Sequence, residues 1–383
     1  MAELVRFFRD PEVSFFLFGP RGTGKSTWLR QQLPDAVYLD LLDPETARPL
    51  EARPERLKSI LTPLRGSGTV VLDEIQRVPE LLTVVHQLIE RHKSLRFVLT
   101  GSSARKLKRS GVDLLGGRAL LCRMHPFMGA ELGGRFDLAE AVRRGTLPLV
   151  VDSPVPDRVL NGYVGLYLRE EVQQEGLVRN IGSFSRFLEA ITLSHGACLN
   201  VSEVARECEV SRKTVEGYVE VVEDLLLSFR LPVFTRRARR QLAAHPKFYW
   251  FDAGVFQSLR PRGPLDSGPE IAGAALEGLV AQHLRAWSDL SGGNASLSYW
   301  RTRAGNEVDF VVYGPDGFWA LEVKSGATLH PRDLSGLKGF TQDYPEARPI
   351  LLYGGKQTLE VEGILCLPVE DFLLALRPGT ALA

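Results

Sequence analysis

The first third of the chain alternates short apolar runs with longer stretches of helical period. The apolar runs are Ser14–Phe18, Ala36–Leu42, Thr69–Leu72 and Leu95–Thr100, and Pro, Gly or Asp stand near the breaks between them. A strand covered on both faces is continuously apolar, as Val70, Val71 and Leu72 are. The rhythm therefore predicts a mostly parallel α/β sheet with helices on both sides. It fades after Leu121. Residues 126–149 mix short helical patterns with glycines, and Pro154 and Pro156 interrupt any element at 152–157. Residues 158–231 read as mostly helical. From Lys247 onward the pattern is mixed, with strands expected at Phe248–Phe251, Ser296–Arg301, Val308–Tyr313, Phe318–Val323 and Pro349–Tyr353. Three parts are expected, at 1–150, 151–245 and 246–383.

Composition narrows the class. The chain has 383 residues, of which 44% are hydrophobic and 24% charged, ordinary values for a soluble protein with more than one core. A formal net charge of +1 gives no global attraction to nucleic acid or membrane, so any such attraction must be local. Cys122, Cys198, Cys208 and Cys366 have no metal-ligand spacing and read as reduced thiols. Met1–Asp10 carries charges and no apolar run of signal-peptide length, and no segment reaches the roughly 18–20 apolar residues of a membrane span. A cytoplasmic location is expected, with no membrane partner.

The run Gly19-Pro20-Arg21-Gly22-Thr23-Gly24-Lys25-Ser26-Thr27 completes the G-x-x-x-x-G-K-[ST] pattern between an apolar strand and a helical stretch. Glycines let backbone N–H groups turn inward around phosphate oxygens, and the helix N-terminus adds its dipole. Lys25 is expected to reach the β- and γ-phosphates, and Ser26 to ligate magnesium. The alternative is a chance match in a glycine-rich turn. Magnesium needs a carboxylate, and Asp73 stands at the end of the third apolar run. Glu74 follows it, placed to polarise an attacking water. The fourth run ends in Thr100-Gly-Ser-Ser103, where Ser102 or Thr100 serves either to sense a γ-phosphate or to cap a helix. Arg118, after Gly116 and Gly117, is either an arginine finger or sensor, in cis or in trans, or a solvated charge. A role in trans would require a homo-oligomer. The site reading is ATP with Mg2+, and the catalytic residues are Lys25, Glu74 and Arg118.

Residues 200–226 carry two apolar faces, Val201, Val204, Ala205 and Val210, then Val215, Val219 and Val222, with Ser202 and Ser211 as cap candidates. This looks like a helix-turn-helix in a winged-helix setting, with Ser211–Asp224 as its second helix. Its acids (Glu203, Glu207, Glu209, Glu216, Glu220, Glu223, Asp224) outnumber its bases, which would repel phosphate. Arg236, Arg237, Arg239, Arg240 and Lys247 form a basic stretch able to grip a nucleic-acid backbone, DNA rather than RNA, or else a solvated loop. Arg105, Lys106, Lys108 and Arg109 form a second such run.

Toward the C-terminus, Asp309 lies in one expected strand and Glu322 and Lys324 share a face of the next. A turn through Gly314, Pro315 and Gly317 would bring Asp309 beside Glu322. Two acids and a lysine so placed make a hard-cation site with Asp309 and Glu322 on the metal, and Glu277 stands on an upstream apolar helix. The spacing resembles the PD-(D/E)XK nuclease pattern. The alternative is a pair of strands with ordinary charges on a solvated face.

Taken together, the chain resembles a large prokaryotic family of AAA-type ATP-binding proteins with a C-terminal nuclease-like domain. The markers are the P-loop, Leu-Asp-Glu-Ile-Gln-Arg-Val-Pro at 72–79, Leu-Thr-Gly-Ser-Ser at 99–103, Gly-Gly-Arg at 116–118 and Tyr-Leu-Arg-Glu-Glu at 167–171. Pro-Lys-Phe-Tyr-Trp-Phe-Asp-Ala-Gly at 246–254, Gly-Asn-Glu-Val-Asp-Phe at 305–310 and Leu-Glu-Val-Lys at 321–324 complete the set. The stretch His125-Pro-Phe-Met-Gly-Ala departs from it. The resemblance implies ATP hydrolysis, an intervening winged helix and a restriction-endonuclease-like C-terminal fold. The expected function is an ATPase whose cycle controls a nucleic-acid-binding or Mg-dependent nuclease-like part. The rival is a nucleotide switch whose inactive nuclease-like domain docks a protein partner.

Overall fold

A computed structural model describes residues 4–102, 115–167, 180–238, 242, 245–264 and 266–382. Backbone contacts divide the chain into two units, one of Phe8–His125 with Val222–Leu226, the other of Met1–Phe7 with Pro126–Val221 and Leu227–Ala383.

The first unit is built on five parallel strands, β1 (Phe15–Phe18), β2 (Val37–Asp40), β3 (Ser67–Asp73), β4 (Ser94–Gly101) and β5 (Leu120–Arg123), in the spatial order β2-β3-β4-β1-β5. Every residue of β1 is buried, as expected of a strand covered on both faces. Phe16, Val70, Leu72, Phe97 and Leu99 pack with Leu50, Leu57, Leu82 and Val85 in one core. The predicted apolar runs become β1 to β4. The edge strand β5 was not expected, because Leu120 and Leu121 are half exposed or more and Arg123 is exposed, so the run carries no burial pattern. Helix α1 (Lys25–Gln32) follows β1 directly after the phosphate-loop sequence. Because β4 lies between β1 and β3, the ends of all three strands meet on one edge, with Phe18 beside Gly101 and Leu72 beside Leu99.

The second unit contains a three-stranded and a six-stranded sheet. The small one is β6 (Ala197–Cys198), β7 (Ser228–Leu231) and β8 (Lys247–Trp250), in the order β6-β8-β7. The large one holds β9 (Ser296–Arg301), β10 (Glu307–Gly314), β11 (Gly317–Lys324), β12 (Arg348–Tyr353), β13 (Leu359–Val361) and β14 (Ile364–Pro368), ordered β13-β14-β12-β11-β10-β9. β9 to β11 form an antiparallel meander, and β11, β12 and β14 run parallel. The helix Gly268–Leu290 buries Leu279, Val280 and Leu284 in a core shared with Phe310, Leu321, Ile350 and Leu352. Phe127, Met128, Leu132 and Phe136 belong to that core, so residues 126–150 lie with this unit rather than with the parallel sheet where the sequence division puts them. Helices Val201–Glu207 and Arg212–Asp224 match the two expected around the acidic stretch. Among the described residues no helix is long and apolar enough to cross a membrane.

Candidate functional site

In the first unit, the loop from Gly19 to Gly24 turns from β1 into α1. Gly22 and Gly24 have φ of 81° and 87°, conformations that an L side chain resists. Gly19 has no room for a side chain, since a Cβ there would stand 2.5 Å from the Met124 carbonyl oxygen. Thr23 Oγ1 donates to the Pro20 carbonyl at 2.7 Å, tying the loop. The Lys25 ammonium donates to the carbonyls of Gly19 at 2.6 Å and Pro20 at 3.2 Å, so it curls back into the loop. Gly24 caps α1 without a side-chain bond, which leaves the helix N-terminus to face an anion. Arg21 and Thr27 are exposed. Left-handed glycines at 22 and 24, a lysine folded into the loop and a helix start without a side-chain cap together fit a polyphosphate.

The carboxylates stand on the same edge. Asp73 ends β3 and is only 4% exposed. The Thr100 hydroxyl at the end of β4 donates to Asp73 Oδ1, and the Tyr38 hydroxyl of β2 donates to Oδ2. Ser26, the other residue expected to hold magnesium, lies close enough to influence the same hydroxyl. Burial, and then the Asp73 carboxylate, push that hydroxyl above the usual phenol range. Glu74 adopts φ 61°, a strained left-handed conformation for a residue with a side chain, and its N–H donates to Thr100 Oγ1 at 3.1 Å. Gln76, 8% exposed, donates from Nε2 to Glu74 Oε2 and to Ser102 Oγ, the latter at 3.3 Å. Ser102, Thr100, Asp73 and Glu74 are therefore brought together beside the loop.

Arg118 is not brought there within the chain. It precedes β5, which runs parallel to β1 with Phe18 beside Arg123. Arg118 thus lies roughly 13 Å or more back along the strands, at about 3.3 Å per residue, on the opposite edge of the sheet. It pairs with Glu90 and donates to the Gly116 carbonyl at 3.0 Å. Tyr38 and Gln76 were missed from the sequence. Gln76 lies inside the 72–79 run, but nothing in its spacing marks it; Tyr38 is an ordinary strand aromatic.

In the second unit, β10 and β11 pair with Phe310 opposite Leu321, and the Val323 N–H donates to Asp309 Oδ2 at 3.0 Å. The hairpin thus brings Asp309 alongside Glu322, as expected. Lys324 Nζ donates to Glu322 Oε1 at 2.6 Å, while Glu322 Oε2 is buried without a partner among the described residues. Burial, and then the Asp309 charge, push the Glu322 carboxyl up to about 8. Glu277 is pushed up to about 7 by the same two causes in the same order.

The unexpected member is Lys247. The sequence places it in a basic stretch open to nucleic acid, but it is 1% exposed. Its ammonium contacts Glu277 Oε1 at 3.1 Å, Glu307 Oε1 at 2.5 Å and Asp309 Oδ1 at 3.1 Å. Strand β8 holds it inward, and a side chain turned into the fold cannot meet a phosphate backbone. Burial alone would depress this ammonium. The surrounding Tyr249, Asp309, Glu277 and Glu307 outweigh that effect and hold it well above the usual lysine range. Of the remaining basic stretch, Arg236 lies over the Tyr313 ring at 4.6 Å. Arg239 and Arg240, the run Arg105, Lys106, Lys108 and Arg109, and the markers Ser103 and 168–171 lie outside the described residues.

Three family models match the chain. Residues 12–133 match an AAA domain, 135–266 a domain of unknown function (DUF8612), and 272–372 a domain of unknown function (DUF4143). The uncharacterized proteins Rv2008c of Mycobacterium tuberculosis and Mb2031c of Mycobacterium bovis are each 27% identical over 377 residues, covering 95% of this chain and 81% of theirs. Among solved structures, Caenorhabditis elegans PCH-2 aligns at 13% identity over 55% of this chain and 61% of its own, with a TM-score of 0.24. At that score the overlay carries no structural argument. The family match and the strand order agree that the first unit is an AAA-type P-loop ATPase domain on a parallel sheet.

Proposed function

We propose that this chain binds ATP with magnesium at Gly19–Thr27 and hydrolyses it. The observation that carries the reading is the convergence of Lys25, Asp73, Glu74 and Thr100 on the ends of three adjacent strands. In this reading the loop N–H groups and Lys25 hold the β- and γ-phosphates. Ser26 and Asp73 hold the metal, Glu74 accepts a proton from the attacking water, and Ser102 or Thr100 reports the γ-phosphate. Bound magnesium would supply positive charge across the β- and γ-phosphate oxygens. Arg118, set on the far edge of its own sheet, serves a neighbouring copy in this scheme, which makes the active form a homo-oligomer. Replacing Lys25 by Ala tests the assignment. ATP turnover should vanish, and a variant that turns over ATP at the wild-type rate rejects the site.

The second unit is read as what the cycle controls. Its middle is read as a winged helix and its C-terminal part as nuclease-like, with DNA as the expected polymer and Glu277, Asp309, Glu322 and Lys324 as the cutting residues. The pairing of Lys247 with Glu277 and Asp309 favours the other version, in which the nuclease-like part docks a protein partner and cuts nothing. Magnesium-dependent cleavage of DNA or RNA by the wild type, lost in Asp309→Ala, would decide for the nuclease.

A further inference from the structure

Four elements of the second unit aim polar groups at one point. On β8, Lys247 and Tyr249 are two residues apart and share a face. On β10, Glu307 and Asp309 do the same. The helix Gly268–Leu290 adds Glu277, and β11 adds the Val323 N–H. At the centre is the Lys247 ammonium, within 3.1 Å of one oxygen from each of Glu277, Glu307 and Asp309. We infer that Lys247 is a built-in counter-cation, filling the position that a divalent metal would need and keeping Mg2+ and Mn2+ out of the C-terminal carboxylates.

The bonding capacity of the carboxylates supports this. Asp309 has both oxygens committed, Oδ1 to Lys247 and Oδ2 to the Val323 N–H. Glu307 likewise spends Oε1 on Lys247 and faces Arg301 with Oε2 at 3.4 Å. Glu277 Oε1 accepts from both Lys247 and the Tyr249 hydroxyl, the latter at 2.6 Å. A hard divalent cation takes six or more oxygens at about 2.0–2.6 Å. It would meet these oxygens already bound, with a fixed positive charge beside them in a poorly solvated site. Glu322, expected to complete the metal pair, gives Oε1 to Lys324 on its own strand and leaves only Oε2 without a partner among the described residues.

The ammonium is also tethered. Lys247 pairs with Leu231 on one side and Cys198 on the other, in the middle strand of its sheet. Its Nζ lies 5.6 Å from the centroid of the Tyr299 ring. Swinging the side chain out would leave Glu277 and Asp309 without their paired ammonium, a costly state. The inference is independent of ATP hydrolysis, since Lys25 and Asp73 belong to the other unit.

The test is Mn2+ binding to the full-length, nucleotide-free chain, read by electron paramagnetic resonance. Wild type and Lys247→Arg should show no stoichiometric site at millimolar Mn2+. Lys247→Met, which keeps the stem and removes the charge, should gain one, tighter by on the order of tenfold or more. That gain should disappear when Asp309→Asn is added. One Mn2+ bound by wild type and lost in Asp309→Asn overturns the inference, as does a folded Lys247→Met variant that binds none. A second measurement needs no variant. Reductive methylation of the native chain, mapped by mass spectrometry, should leave Lys247 unmodified with and without millimolar Mg2+. Methylation of Lys247 that appears only with Mg2+ means that the metal displaces the ammonium and the inference fails.

Discussion

Tyr38 shows how a residue with no motif can decide how a motif works. Its hydroxyl donates to Asp73 and lies near Ser26, the two groups assigned to the metal. A magnesium ion ligated by Asp73 would compete with that bond for the carboxylate's lone pairs. Tyr38→Phe removes the competition, and the Mg2+ concentration giving half-maximal ATP turnover should fall by about 2- to 10-fold, the range of one neutral or charge-assisted hydrogen bond. A magnesium titration of initial rates checks this; a rise would mean that Tyr38 orients Asp73 for the metal. The P-loop itself was legible because its chemistry is local: each glycine, the lysine and the serine act within one turn. Tyr38 and Lys247 were not, because their partners lie on other strands. In a sequence, Lys247 near several arginines reads as part of a basic surface. Only the folding of β8 beside β10 and the helix that carries Glu277 turns it inward among acids.

The same division holds for elements. Runs covered on both faces were legible, as in β1, β3 and β4, since burial leaves an unbroken apolar record. β5 escaped because it is an exposed edge, and β7 because Leu225–Leu231 continues an apolar run out of the preceding helix. Where β4 ends, the fit between elements carries function. Gly101 lies against Gln76, so that a Cβ there would stand 2.4 Å from Gln76 Oε1. Gly101→Ala should therefore push aside the amide that holds Glu74. We expect kcat for ATP to drop on the order of ten- to a hundredfold, the cost of misplacing a catalytic group by about an ångström, with KM little changed. Steady-state kinetics separates the two, and an unchanged kcat would show that Gln76 does not position Glu74.

For the whole molecule, the two units carry different chemistry and can be followed separately. Stability of the second unit should depend on pH through Glu322. Its carboxyl is pushed from an ordinary 4.5 up to about 8 by burial and then by Asp309, so the folded state keeps a proton that the unfolded state releases. Stability from this group therefore falls as pH rises through that window. Glu322→Gln stays neutral at every pH, so its melting temperature should fall less between about pH 5 and pH 8 than that of the wild type. Thermal melts followed by Trp fluorescence test this, since Trp250, Trp287, Trp300 and Trp319 are buried in this unit. Equal slopes would show that Glu322 is ionised in the fold. The central claim concerns the other unit, and it is tested most directly by measuring ATP binding and ATP hydrolysis side by side in Glu74→Gln. The account predicts that nucleotide still binds at wild-type affinity while turnover falls by on the order of 10²–10⁴, the contribution of a positioned base. Hydrolysis at the wild-type rate in this variant would contradict it.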